Sequence, residues 1–123
     1  MGYCVDIELR NVRFHKDNWH NIKKTLDVLN EYWHKKHDWC RFDKSLTDIY
    51  DVFKDIGFET SYDGEYIKIE EFLREKLGDH TRMFKQLAPY LEDCEIVFFG
   101  EEQAAWKVVV KNKSCSEEVR EDF

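Results

Sequence analysis

Three residues of zinc-ligand type recur at steps of three along the chain, at His34, His37 and Cys40. On a helix they would lie toward one side, and imidazole nitrogens and thiolate sulfurs are common zinc ligands. A structural site usually combines closely spaced ligands from two places, and here only His15 or His20 could complete the set. Basic and imidazole side chains are also typical of a helix C-terminus, where they oppose the negative end of the helix dipole. We therefore predict no metal site and no cofactor.

Paired carboxylates are the second candidate for chemistry, because an acid and a base side by side can assist proton transfer. Such pairs occur at Glu70–Glu71 and at Glu101–Glu102. Adjacent residues of a strand point to opposite faces, so we expect neither pair to converge on one substrate. None of the five histidines lies in a sequence context typical of a nucleophile and its base. The sequence therefore predicts a non-enzymatic protein with no catalytic residues.

Aromatic and basic residues alternate in the segment that contains Trp33, Trp39 and Arg41. Aromatic rings beside cations can stack a nucleobase or another flat ligand. Acidic residues interrupt the segment, and tryptophans of this kind more often fill a core or seal two elements. We keep these three residues as a candidate pocket for a small molecule or a nucleotide.

The closing hairpin carries the most distinctive charge pattern. Two apolar runs, 94–99 and 105–110, flank a short loop, and five acidic residues without a base lie at its entry and tip: Glu92, Asp93, Glu95, Glu101 and Glu102. The whole formal charge of −7 falls on residues 58–123, because the first 57 residues are balanced. An acidic surface repels phosphates and complements a basic groove on another protein. These five residues are our candidate partner-binding surface, and we expect no direct contact with nucleic acid.

Composition sets the class of protein. The chain has 123 residues, 15% of them aromatic, with one proline and four widely spaced cysteines that form no Cys-x-x-Cys motif. This length and apolar content are typical of one domain with its own core, and the cysteine spacing favours free thiols. The longest apolar runs are too short to span a bilayer. We expect a cytoplasmic protein with no membrane partner.

Period-two patterns and turn residues predict the strands. We expect strands over residues 3–9, 58–62, 66–69, 94–99 and 105–110. Asp63-Gly64 predicts a tight hairpin turn between the second and third of them, because both positions of such a turn need positive φ. The alternation fades around Val12 and Phe14. The acidic tail, residues 114–123, is predicted to fray.

Apolar stripes predict three helices. The first follows a cap at Asp17, the second follows a cap at Ser45 and ends at Gly57, and the third follows a cap at Asp79 and ends near Pro89. The stripe of the first helix is Trp19, Ile22, Leu26, Leu29, Tyr32 and Trp33. The predicted core contains Val5, Ile7, Leu26, Leu29, Ile49, Phe53, Phe84, Leu87, Val97 and Trp106. The order β-α-α-β-β-α-β-β predicts an α+β fold over residues 1–113, a mainly antiparallel sheet with helices packed on one face.

Several short motifs resemble small uncharacterised phage and prophage accessory proteins. They are the opening Met1–Val12, Leu77-Gly-Asp79, Leu87-Ala-Pro-Tyr90, Phe99-Gly-Glu-Glu102 and Trp106-Lys-Val108. In that group the acidic turn usually contains Asp-Gly, and this chain departs from it at Gln103-Ala104-Ala105. The resemblance implies an anti-CRISPR-like accessory protein of a mobile element.

The leading hypothesis joins this resemblance to the acidic hairpin. The protein would bind and inhibit a host defence protein, such as an RNA-guided nuclease, in the cytoplasm of the host cell. Its acidic residues would occupy the basic groove that normally holds nucleic acid. The alternative hypothesis is a protein that binds a small molecule or nucleotide in an aromatic pocket.

Overall fold

The computed structural model describes residues 3–119. Its strands are β1 (Asp6–Arg10), β2 (Arg13–His15), β3 (Phe58–Tyr62), β4 (Tyr66–Phe72), β5 (Cys94–Phe99), β6 (Ala105–Lys111) and β7 (Ser114–Val119). Its α-helices are α1 (Trp19–Lys36), α2 (Ile49–Ile56) and α3 (His80–Leu87). Every pairing between these strands is antiparallel, so the predicted α+β class is confirmed.

The strands divide into two sheets. One has the order β1-β5-β6-β7 and the other the order β2-β4-β3. The helices cover parts of both, since α2 packs on β3 while α3 contacts both α1 and β6. No helix in the described part of the chain is long and apolar enough to cross a membrane.

One continuous segment passes from the first sheet to the second. Within it Leu9 pairs with Ile96 of β5, whereas Phe14 pairs with Ile67 of β4. The chain turns between them at Asn11, whose φ of 59° lies in the left-handed region that asparagine tolerates better than most residues. This change of sheet explains why the alternation fades there: Val12 and Phe14 are both fully buried.

Helix α1 buries most of its predicted stripe. Ile22, Leu26, Leu29 and Trp33 are buried, but Tyr32 is 43% exposed and does not belong to the core. The helix begins after Asn18, because a 3-10 turn over Lys16–Asn18 precedes it, so the predicted cap at Asp17 is wrong.

Helix α2 begins later than predicted. Its N-cap is Asp48, whose carboxylate accepts the N–H groups of Tyr50 at 3.0 Å and Asp51 at 3.3 Å. Ser45 instead donates its hydroxyl to Asp43 at 2.8 Å in the preceding loop. Three residues therefore separate the predicted cap from the real one. The helix ends at Gly57, where φ is 123°, as the glycine predicts.

Helix α3 keeps its predicted ends and uses its cap residue differently. Asp79 occupies the N-cap position, but its carboxylate makes no capping bond and accepts the indole N–H of Trp33 at 2.9 Å. The α-helix stops at Leu87, and Pro89 lies in the 3-10 turn that follows. This is the effect expected of a residue that cannot supply a helical N–H.

The Asp63-Gly64 hairpin forms between the predicted strands, but its turn does not have the predicted conformation. Gly64 has a φ of 101°, but Asp63 is not in the left-handed region. The Asp63 carboxylate accepts the N–H groups of Glu65 at 2.9 Å and Tyr66 at 2.7 Å. These bonds fix a loop that includes Glu65, in place of a two-residue turn.

The predicted fraying of the tail is wrong for residues 114–119, which form β7 against β6. The last four residues of that tail lie outside the described residues. Asn112 and Lys113 have φ of 51° and 64°, so they make the two-residue turn whose twist suits a hairpin. The sequence analysis missed this turn because its second residue is lysine and not glycine.

The core contains eight of the ten predicted residues in buried positions. The other two, Ile49 and Trp106, pack against it while partly buried. Trp106 donates its indole N–H to Thr81 at 3.0 Å, which explains why one edge of the ring stays near the surface. The rest of the core is dominated by phenylalanines, including Phe14, Phe58 and Phe98.

Candidate functional site

The edges of the two sheets differ in what covers them. The segment that enters β1 is paired elsewhere, because Val5 N–H donates to Glu75 O at 2.8 Å and Leu77 N–H to Tyr3 O at 2.7 Å. At the edge of β2, the Arg13 carbonyl accepts the N–H of Glu92 at 3.0 Å. Apart from β1 itself, which pairs only with β5 and carries the charged residues Asp6, Glu8 and Arg10, two edges, β3 and β7, have no paired neighbour among residues 3–119.

The two open edges are chemically unlike. Strand β7 carries Glu117 and Glu118, and Glu117 forms an ion pair with Lys85. Charged side chains on an edge are a common protection against pairing with another chain. The last three residues of β3, Thr60 to Tyr62, carry no charge. An uncharged open edge is a template for an additional strand.

Hydrogen-bond alternation identifies which backbone groups of β3 face outward. Ile69 of β4 donates its N–H to Val12 at 2.9 Å, on the side of β2. Thr60 lies opposite Ile69, so this pair exchanges no hydrogen bonds and the N–H and C=O of Thr60 point away from β4. Residues two apart share a direction, so Tyr62 presents its backbone groups in the same way.

A groove runs beneath this edge on the side of α2. It has a volume of about 330 Å³, with Ile49 and Ile67 among its apolar lining. Tyr50 and Tyr62 stand on either side and are 46% and 60% exposed. Large aromatic side chains at the surface beside a concave apolar lining are typical of recognition sites. We call this feature the tyrosine groove.

Local sequence explains the position of the tyrosine groove. Gly57 reverses the chain between α2 and β3, so the first turn of α2 lies beside the last residues of β3. Lys16 also lines the groove; its backbone N–H donates to Glu65 O at 2.9 Å, and its ammonium group lies 3.4 Å from Gly64 O. Asp48 also lines it, with its carboxylate already used as the α2 cap.

Three carboxylates meet on the opposite face of β3. Opposite Glu59 is Glu71, whereas Thr60 is opposite Ile69, so Glu70 is an extra residue in β4. Glu59, Glu70 and Glu71 therefore line one shallow cavity of about 340 Å³, which we call the acidic groove. The expectation that Glu70 and Glu71 point to opposite faces is wrong, because a β-bulge breaks the alternation.

The acidic groove keeps most of its negative charge. Ser61 donates its hydroxyl to Glu70 at 2.8 Å, and the Lys68 ammonium group lies 3.9 Å from the same carboxylate oxygen. No basic residue is among the residues that line the cavity. Thr60 and Ser61 line it as well, and both also line the tyrosine groove. Strand β3 is thus an open edge with an apolar groove on one side and an acidic groove on the other.

Three of the five predicted partner-binding acids, Glu95, Glu101 and Asp93, are used within the fold. Glu101 accepts the backbone N–H of Cys4 at 3.1 Å. Glu95 accepts from Arg10 at 3.0 Å, and the ammonium group of Lys107 lies 3.6 Å from its other oxygen. Their charges are therefore partly compensated by neighbouring donors.

The five acids also do not converge. Asp93 accepts the N–H of Asn112 at 2.9 Å, and Glu92 precedes it at the start of β5. Glu102 lies at the other end of the hairpin, in the left-handed region with a φ of 55°. The length of β5 separates Glu92 and Asp93 from Glu101 and Glu102, so the five acids do not form one cluster.

The predicted aromatic-basic pocket is not assembled as expected. Trp33 is fully buried and donates its indole N–H to Asp79. Trp39 is 46% exposed, and Arg41 donates its guanidinium to the Asp38 carbonyl at 2.8 Å. With Trp33 inside the core, the three residues offer no common aromatic face to a ligand.

The zinc-type triplet is also dispersed. His37 is exposed at the left-handed end of α1, whereas Cys40 is fully buried. Burial raises the pKa of the Cys40 thiol well above its usual range, and the Asp38 carboxylate adds to this effect. A zinc ligand would have to be a thiolate, which this environment disfavours. Within residues 3–119, no cluster of three or more His, Cys, Asp or Glu is placed to hold a metal ion.

No protein-family model, curated protein or solved structure matches this chain. The resemblance to phage accessory proteins therefore stays a prediction. Sequence reasoning missed the two tyrosines of the groove. The apolar pattern placed Tyr50 within the stripe of α2, although the side chain is 46% exposed, and Tyr62 lies immediately before the Asp63-Gly64 turn.

Proposed function

We propose that this protein is a non-enzymatic binding protein that adds an extended segment of a partner protein to the free edge of β3. The observation that carries the proposal is the open, uncharged end of β3, where Thr60 and Tyr62 direct backbone donors and acceptors outward. Main-chain hydrogen bonds supply affinity in this mode of recognition, and pockets for alternate side chains supply specificity.

The tyrosine groove supports the same function. A strand added beside β3 would place every second side chain on the face of Thr60 and Tyr62, above Ile49 and Ile67. Tyr50 and Tyr62 would be covered by that strand, and tyrosines often anchor interfaces because they bury a large area with few rotatable bonds.

The inhibitor hypothesis becomes a special case of this proposal. A host defence protein could be the partner that supplies the extended segment. The contact surface on the present protein would then be β3 and the two grooves, since Glu101 and Glu95 of the closing hairpin already have partners within the fold. The anti-CRISPR-like role and the host cytoplasm remain proposals that rest on the sequence resemblance.

A small-molecule ligand is the second candidate, favoured by the size of the tyrosine groove. About 330 Å³ falls at the lower end of the range for ligand pockets. A flat ligand could lie between Tyr50 and Tyr62 with an anionic group toward Lys16. Such a ligand would not need the backbone groups of β3, and this difference separates the two candidates.

The test uses a proline that removes one outward N–H. Binders are selected from a library of displayed eight-residue peptides, and their site is mapped by amide hydrogen exchange. We expect protection of the Thr60 and Tyr62 amides and loss of binding in Thr60→Pro, because that N–H does not pair with β4. The matched control is Cys115→Pro, at an outward-facing position of the β7 edge, which should bind as the wild type does.

Two results would contradict the proposal. One is selected peptides that protect other amides and bind Thr60→Pro normally. The other is a metabolite that binds the wild type and Thr60→Pro equally well but does not bind Tyr62→Ala. That result would favour the small-molecule candidate.

A further inference from the structure

We propose that the segment added to β3 alternates apolar and basic residues, with the basic ones facing the acidic groove. This inference rests on the proposed function and specifies its partner. Successive side chains of a strand point to opposite faces, so the two faces of an added strand meet the two grooves separately. The tyrosine groove would bind the apolar side chains of the added strand, and the acidic groove would bind its basic side chains.

The acidic groove is within reach of the added strand. Glu59 belongs to β3 itself and would be a direct cross-strand neighbour, at about 5 Å between Cβ atoms. Glu70 and Glu71 lie one strand further in, about 10 Å from the added strand. Ser61 of β3 lies between the added strand and Glu70. Its short side chain donates a hydrogen bond to Glu70 and leaves space for a longer side chain to pass over it. A lysine or arginine side chain is long enough to extend across Ser61 to these carboxylates.

The charge of the acidic groove favours a basic partner over other classes. Glu59, Glu70 and Glu71 contribute three negative charges, and Lys68 compensates one of them weakly at 3.9 Å. An acidic segment or a nucleic acid strand would place like charges together, which costs affinity. A segment that is apolar on both faces would leave the carboxylates without partners and partly dehydrated.

The same alternation distinguishes this edge from that of β7. There Glu117 and Glu118 are successive residues on opposite faces, and Glu117 is paired with Lys85. That edge offers one acid on each face, and one of the two is already paired. A partner with alternating apolar and basic residues therefore fits β3 better than β7.

The experiment compares three eight-residue peptides with blocked ends that differ at alternate positions. All carry valine at odd positions, and their even positions are lysine, serine or glutamate. Binding to the full chain is measured by fluorescence anisotropy, and the site is mapped by protection of the Thr60 and Tyr62 amides. We expect the lysine peptide to bind about tenfold more tightly than the serine peptide, from two or three exposed charge pairs, and the glutamate peptide to bind least.

Substitutions in the acidic groove test whether its carboxylates cause the preference for the lysine peptide. In Glu59→Gln/Glu71→Gln the preference for lysine should fall well below tenfold, because only Glu70 remains and it is already bonded to Ser61, with the affinity for the serine peptide unchanged. The matched control, Glu117→Gln/Glu118→Gln, removes the same charge from β7 and should keep the tenfold preference. Raising the salt concentration should weaken the lysine peptide alone, because screening acts on exposed charges.

The possible outcomes distinguish the inferred alternation of the partner segment from the proposed strand addition to β3. Equal binding of the three peptides with protected Thr60 and Tyr62 amides would overturn the alternation and leave strand addition standing. A lysine preference that stays at about tenfold in Glu59→Gln/Glu71→Gln would overturn the acidic groove as its cause. If no peptide protects the two amides at any concentration reached, strand addition to β3 fails together with the inference.

Discussion

Glu101 and Cys4 are joined by a hydrogen bond between the Glu101 carboxylate and the Cys4 backbone N–H, 3.1 Å apart. The backbone N–H of Glu101 donates in turn to the Tyr3 hydroxyl at 2.9 Å. The loop between β5 and β6 is thereby connected to the segment that enters β1. Glu101 has a structural role that its neighbour Glu102 lacks, although the sequence presents them as an equivalent pair.

We therefore expect the two glutamates to respond differently to substitution. Glu101→Ala should lower the free energy of unfolding by about 1 kcal/mol, since it removes a charge-assisted hydrogen bond that is partly exposed to solvent. Glu102→Ala should change it by less than about 0.5 kcal/mol, as is usual for an exposed side chain. Urea denaturation of both variants measures the difference. Equal stabilities would show that the bond to Cys4 contributes nothing in solution.

Asn30 provides a second prediction, because it is one of few buried polar residues in the described chain. Its side-chain amide donates to Phe42 O at 2.9 Å, and its side-chain carbonyl accepts Phe42 N–H at 2.9 Å. This pair of bonds holds the loop after α1 against the helix. Asn30→Ala would leave the buried Phe42 N–H without a partner, while Phe42 O keeps the His34 ring nitrogen at 2.7 Å, so we expect a loss of roughly 1–3 kcal/mol.

The matched control for Asn30 is Asn21→Ala, an exposed position on the same helix. It should change the unfolding midpoint little, since alanine is at least as good a helix former. Thermal unfolding followed by circular dichroism compares the two variants. A midpoint for Asn30→Ala within error of the control would mean that water replaces the lost bonds.

His80 makes stability depend on pH. It is buried among aromatic rings, with Phe72 at 5.1 Å and Phe58 at 5.7 Å between ring centroids. Burial lowers its pKa from 6.5 to about 4, a larger effect than the opposing ones of the Ile56 carbonyl and Asp38, and Arg74 lowers it slightly further. The unfolded chain therefore binds a proton at a higher pH than the folded chain does.

The sign of the pH effect follows from that difference. The contribution of neutral His80 is fully present above pH 6.5 and is lost as the pH falls toward 4, by up to about 3 kcal/mol. His80→Asn keeps an acceptor for the Gly78 N–H and does not titrate, so its stability should fall less over this interval. His37→Asn, at an exposed left-handed position, is the control and should follow the wild type. Parallel curves for all three proteins would contradict the assignment.

Local patterns were sufficient for much of the fold. Alternation in β1 and the turn at Asp63 predicted strands that the structure contains, and Gly57 and Pro89 ended helices as their backbone chemistry requires. The misplaced cap shows the limit of this reasoning. Ser45 and Asp48 are both good N-cap residues, and the choice between them depends on where the loop from α1 is fixed by Phe42 and Asn30, a tertiary contact.

The candidate site depended on contacts that no local pattern contains. The tyrosine groove exists because α2 and β3 lie side by side, and the acidic groove exists because a bulge brings Glu70 beside Glu71. Both features arise from how elements pack and pair with one another, which the sequence of a single element does not contain. The acidic hairpin was conspicuous in the sequence because its charges are close along the chain, whereas in the fold Glu95 and Glu101 are bonded to other segments.

Strand β1, which precedes the turn at Asn11, pairs with a strand that is far away in the sequence. Ile7 pairs with Phe98, so β1 has no partner in its sheet until the segment around Phe98 has left the ribosome. Contacts between such distant parts of a chain slow folding, and β1 stays exposed to other chains in the meantime. The charged residues Asp6, Glu8 and Arg10 occupy alternate positions of β1 and oppose its aggregation during that interval. Synthesis rate and chaperone access therefore bear on the yield of this protein more than on that of a domain built from local hairpins.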